Sequence, residues 1–68
     1  MFIGKALRAL REGQGMSQRD IGDALVVEQS TVSRWETNST RPNVESLLKL
    51  AALFGVKLED LAKGELEP

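Results

Sequence analysis

Cysteine and histidine are both absent from this 68-residue chain. Without cysteine there is no disulfide framework and no thiolate to act as nucleophile or metal ligand. Without histidine the side chain that titrates nearest neutrality, and the commonest metal ligand, is missing too. The acids are scattered along the chain and form no nucleophile–base pair or metal cage. An enzyme is therefore not expected, nor is a metal site or a cofactor. Aromatic residues are scarce: Phe2, Trp35 and Phe54 are the full set, too few for a platform on which single-stranded bases stack. No apolar run approaches the ~18 residues a membrane span needs. Met1-Phe2-Ile3-Gly4 runs directly into charged Lys5 and Arg8, unlike a signal peptide. The expectation is one soluble, cytoplasmic domain over 1–68. A domain of this size buries only about 60% of its unfolded surface, so a partner would add to its stability.

What is present is concentrated between residues 18 and 36. The apolar positions there are Ile21, Leu25, Val27, Val32 and Trp35. The outer pairs keep helical spacing, but the interval from Val27 to Val32 does not, so one continuous helix cannot hold all five on one face. Two short helices meeting near Leu25-Val26-Val27 can, with small Gly22 letting the second pack close against the first. The second helix then turns Glu28, Gln29, Ser30, Ser33 and Arg34 outward, where a core-facing helix would carry Leu or Ala. This is the layout of a helix-turn-helix over about 18–37, whose second helix enters the DNA major groove.

The rest of the chain supplies further helices. Ile3, Ala6, Leu7 and Leu10 make an apolar stripe for a helix over about 2–12, ended by Gly13-Gln14-Gly15. Ser17 and Asp20 read as a capping box for a helix over about 18–24. The next helix spans about 28–37, with Asn38 as its left-handed C-cap. Asn43 caps a fourth helix that runs to Phe54 and stops at Gly55, and a last one covers about 58–63. The fourth is apolar around most of its circumference, so part of it, with Leu53, Val56, Leu58, Leu61 and Leu66, is expected to meet a second subunit. The competing reading is that the chain's own helices cover all of it.

Ser17-Gln18, Ser30-Thr31-Val32-Ser33-Arg34-Trp35-Glu36, Arg41-Pro42, Leu47-Leu48-Lys49-Leu50-Ala51 and Phe54-Gly55-Val56 together resemble the Xre/Cro-type helix-turn-helix family of phage and bacterial repressors. The resemblance covers roughly residues 5 to 63. It implies an all-α, compact five-helix lambda-repressor-like domain that works as a homodimer on a pseudo-palindromic double-stranded DNA operator. Two positions depart from the family pattern. Val26 stands where the turn usually has glycine, so either the turn is rearranged or a β-branched residue holds it under strain. Glu28 stands where Ser or Thr commonly caps the recognition helix, and a carboxylate suits the helix dipole better than it caps.

Candidate contacts follow from side-chain chemistry. The Gln29 amide can pair bidentately with adenine, and Arg34 can fork to guanine or clamp a phosphate. Ser30 and Ser33 are small and can donate to either. Glu28 can accept from cytosine N4, which opposes other sequences, or serve only as a dipole partner. By resemblance, Gln18 bonds a phosphate and braces Gln29, while Asn38, Thr40 and Arg41 approach the sugar-phosphate backbone. Arg11 and Arg19 are flanking candidates.

The charge is awkward for such a protein, at −1 overall. Residues 1–42 carry six bases against five acids and residues 43–68 three against five. The asymmetry favours the helix-turn-helix half but is small, so a modest salt dependence is expected. The alternative is an antitoxin-like or adaptor helix-turn-helix whose main partner is another protein, which suits the acidic balance and the apolar fourth helix.

Overall fold

In a computed structural model the described residues, 2–61, form α1 (Gly4–Gly13), α2 (Gln18–Leu25), α3 (Gln29–Glu36) and α4 (Val44–Phe54). Residues 58–61 open a fifth helix, and there is no strand among the described residues. The all-α expectation and the order of helices hold. The last positions of the expected fifth helix, and Leu66, lie outside the described residues.

The caps form where the sequence placed them. Ser17 Oγ accepts from Asp20 N–H at 3.0 Å, and Asp20 Oδ2 accepts from Ser17 N–H at 2.8 Å. Asn43 Oδ1 accepts from Ser46 N–H at 2.8 Å. Each side chain satisfies a backbone donor that the first helical turn leaves without a partner. Glu28 is the exception. It is the N-cap of α3, makes no side-chain cap bond, and instead accepts from Ser30 Oγ at 3.4 Å. Helix α1 starts two residues later than the apolar stripe suggests, which leaves Phe2 outside it. The first helical N–H, that of Gly4, is held by Asn38 Oδ1 at 3.0 Å, a cap supplied from 34 residues away.

All four helices end alike. A left-handed residue (Gly15, Val26, Asn38, Gly55) is followed by an N–H reaching back five positions: Met16 to Arg11, Val27 to Gly22, Ser39 to Arg34 and Val56 to Ala51. This closure satisfies carbonyls that the helix leaves open. Two of the four are glycines and one is asparagine, types that tolerate positive φ. Val26, at φ 59, is β-branched, so the turn keeps its ordinary shape under strain and is not rearranged. Its side chain is 88% exposed, and no packing offsets that strain. Val26→Gly is therefore expected to raise stability by about 1 kcal/mol, the relief of left-handed strain outweighing glycine's added freedom in the unfolded chain. A lower melting temperature for the variant would contradict this.

The core is a single cluster of Ile3, Leu7, Ile21, Leu25, Val32, Trp35, Leu47, Leu50, Ala51, Phe54 and Leu61. Trp35 lies inside it, as its spacing from Val32 implied. Gly22 allows the close approach of α3: a β-carbon there would stand 2.7 Å from the Val27 carbonyl oxygen. Leu61 is a correction to the expected subunit interface. It is 0% exposed, filling its own chain's core. Leu53, Val56 and Leu58 are half-buried against the same core. The large apolar side chains that α4 exposes are instead Val44 and Leu48, one helical turn apart.

Candidate nucleic-acid interface

Helix α3 buries Val32 and Trp35 and thereby aims its opposite side outward. Gln29, Ser30, Ser33 and Arg34 spread over about 140° of arc at the helical rotation per residue. Gln29, Ser30 and Arg34 are exposed, and Ser33 is half-buried. Glu28 sits exposed at the start of the same helix. The structure thus brings four of the five expected base-reading residues onto one side of α3, with Glu28 exposed at the end where the chain enters the helix.

Behind that face lies a hydrogen-bonded chain that reaches from the core to the surface. Glu36, the last residue of α3, accepts from Arg11 Nε at 2.6 Å and Nη2 at 3.1 Å, and from Gln18 Nε2 at 3.2 Å. Gln18 Oε1 in turn accepts from Gln29 Nε2 at a long 3.4 Å. The Arg11 and Glu36 side chains are 13% and 4% exposed, so this is a shielded, bidentate charge pair. Arg11 Nη1 also donates to the Met16 carbonyl at 2.9 Å, tying down the segment before α2. Burial pushes the Glu36 carboxyl up, but hydrogen bonds from Arg11 and Gln18, with the Arg11 charge, pull it below its ordinary value. The bond to Glu36 raises Arg11 further.

Arg11 is therefore a correction. Its guanidinium is engaged by Glu36 and Met16, and it acts through them, holding α1, α2 and α3 together. Asn38 is partly one as well, since its carbonyl oxygen holds the start of α1. Sequence reasoning missed Glu36 as the hub. Its only signal was an acid with no base three or four residues away along the helix, hence no local partner. Gln18 lies between this pair and Gln29, donating to Glu36 and accepting from the Gln29 amide. Thr40 and Arg41 are exposed in the loop after α3, while Thr37 Oγ1 bonds the Arg34 carbonyl at 3.3 Å and helps close α3.

Arg8, Lys49 and Lys57 lie 3.7, 3.4 and 3.9 Å from carboxylates on their own stretches of chain. Lys5, Arg19, Arg34 and Arg41 have no ion-pair partner among the described residues. Three of these four stand on α2, on α3 and in the loop that follows. Pairing engages Arg8, Lys49 and Lys57 and leaves Arg19, Arg34 and Arg41 free around α3, where the exposed acids Asp20, Asp23 and Glu28 also stand.

Residues 7–61 match the family model described as helix-turn-helix. The chain belongs to the Xre/Cro-like helix-turn-helix family. Within it, the chain is 32% identical over 65 residues to the HTH-type transcriptional activator BcrR of Enterococcus faecalis, a match covering 96% of this chain and 32% of that protein. It is 33% identical over 65 residues to repressor protein C2 of Salmonella phage P22, covering 96% of this chain and 30% of the repressor. The chain thus spans about a third of the length of either relative. Among solved structures, this helix-turn-helix fold is similar to that of the P22 c2 repressor in complex with a synthetic operator. The TM-score is 0.85 at 31% identity, over 94% of this chain and 97% of that one. A transcriptional regulator from Listeria innocua matches with a TM-score of 0.84 at 27% identity, over 87% of this chain and 55% of that one. The lambda-repressor-like fold expected from the sequence holds.

Proposed function

We propose that this chain is a sequence-specific double-stranded DNA-binding transcriptional regulator, acting as a homodimer on a pseudo-palindromic operator. The observation that carries the reading is the polar outer face of α3, braced from behind by Arg11, Glu36 and Gln18 and edged by unpaired Arg19, Arg34 and Arg41. A helix is about 10–12 Å across with its side chains, which suits the ~12 Å major groove. In this reading Gln29, Glu28, Ser30, Ser33 and Arg34 face base edges, while Gln18, Arg19, Thr40, Arg41 and the amide end of Asn38 face phosphates. Relatives that include a transcriptional activator and a repressor support regulation of transcription in either direction. A solved relative bound to a synthetic operator supports duplex DNA as the partner.

A twofold dimer sets two copies of α3 about 34 Å apart, one DNA turn. Its interface draws on the half-buried Leu53, Val56 and Leu58, with Leu61 supporting them from inside. The exposed Val44 and Leu48 favour a second reading, in which α4 docks a different protein. Tight binding to a polypeptide without salt-sensitive DNA binding would decide for it.

Two substitutions separate the assigned roles on an enriched duplex. Gln29→Ala is expected to cost about 1–3 kcal/mol and to relax preference at one base position. Arg41→Ala is expected to weaken binding to all sequences alike and to lower the salt slope by about one. Unchanged base preference removes Gln29 from the reading set, and a site-selective loss contradicts the phosphate role of Arg41.

A further inference from the structure

Arg41 does not stand alone in its loop. Its guanidinium carbon lies 5.0 Å from the centroid of the Phe2 ring, and Phe2 is 39% exposed. Such a ring is not placed to fill the core. Each side of the contact sits next to an anchor. Beside Phe2, Ile3 is fully inside the core and Gly4 N–H is tied to Asn38. Beside Arg41, Pro42 is buried and restricts the backbone of the residue before it. The ring and the cation are therefore held opposite one another by the fold, and their contact does not depend on chance.

We propose that Phe2 is a positioning residue for Arg41, its ring holding the guanidinium ready to receive a phosphate of the DNA backbone. This rests on the phosphate role given to Arg41 above. A free arginine loses rotamer freedom when it binds, and a side chain already held in place loses less. The ring face attracts the cation through its quadrupole and uses none of its N–H groups. Arg41 makes no hydrogen bond or ion pair among the described residues, so its donors remain for phosphate oxygens. Phe2 thus sharpens a contact it does not itself make.

The test is a double-mutant cycle on binding to a random-sequence duplex of about 30 base pairs, over about 50–200 mM salt. The proteins are the wild type, Phe2→Leu, Phe2→Trp, Arg41→Ala and Phe2→Leu/Arg41→Ala. Leu keeps apolar bulk and removes the ring, whereas Trp offers the stronger face. Phe2→Leu is expected to weaken binding about two- to fivefold with Arg41 present and to have no effect without it. Phe2→Trp is expected to bind as tightly as the wild type or more so. Melting curves of each protein confine the measurement to temperatures where all are folded. If Arg41→Ala weakens binding and flattens the salt slope, yet Phe2→Leu costs the same with or without Arg41, the positioning role is overturned and the phosphate role stands. A Phe2→Trp protein as weak as Phe2→Leu also overturns it. If Arg41→Ala changes neither affinity nor slope, both roles fall.

Discussion

Arg11→Met is expected to destabilise the fold by about 3–5 kcal/mol, because it strands a buried carboxylate. Glu36 is 4% exposed, so water cannot replace the two bonds that the guanidinium makes to it. The Met16 carbonyl loses its partner in the same step. At about 0.05–0.15 kcal/mol per residue, a domain of 68 residues holds only about 3–10 kcal/mol in all. The variant is therefore expected to be largely unfolded near body temperature. Arg11→Met/Glu36→Leu is expected to recover much of the loss, since neither charge is then stranded. Urea unfolding of the three proteins at neutral pH measures this. A loss under about 1 kcal/mol for Arg11→Met would show that solvent reaches Glu36 after all.

The same pair fixes the acid limb of stability. The Glu36 carboxyl is held below its ordinary value in the fold, so its contribution is complete above the usual carboxylate pKa of about 4.3. It is lost as the pH falls through the depressed folded value, while Arg11 stays charged throughout. In Glu36→Gln that part of the acid-induced drop in melting temperature is expected to vanish.

Gly4→Ala is the second large effect, at about 1–3 kcal/mol of destabilisation. The added β-carbon would overlap the Glu36 carbonyl oxygen, and would stand 2.8 Å from its carbonyl carbon and 2.7 Å from Asn38 Oδ1. Two of these atoms are backbone at the end of α3, and that end also carries the carboxylate on which Arg11 and Gln18 converge. Moving it to make room disturbs both the buried pair and the cap that Asn38 gives to α1. Gly13→Ala is the control. Nothing lies within 4 Å of its added carbon, and alanine favours a helix by about 0.5–1 kcal/mol, so this variant is expected to melt higher. Equal melting temperatures for the two variants would contradict the close packing of α1 on α3.

The local rules of the chain were legible because each acts within a few residues. Ser17 with Asp20, Asn43 ahead of the fourth helix, and Gly55 after Phe54 announce their caps by type and spacing. The odd interval between Val27 and Val32 announces the turn. Val26 could be flagged as strained but not resolved, since only the backbone shows whether a turn is bent or rearranged. What was not legible depends on residues brought together from afar. Arg11 and Glu36 are 25 positions apart, and an exposed base and a buried one look the same in sequence. Nothing in the sequence singles out Gly4 until α3 is laid against it. Leu61 and the apolar face of α4 show the same limit, because hydrophobicity says that a side chain is covered but not by which chain.

The first measurement is selection of binding sites from a pool of random duplexes of about 30 base pairs at near-physiological salt, with circular dichroism showing the protein folded. Enrichment of an inverted repeat, with half-sites about one helical turn apart, is the expected result. A folded protein that enriches no sequence would contradict a reading surface on α3 and leave the apolar face of α4, and a protein partner, as the place to look.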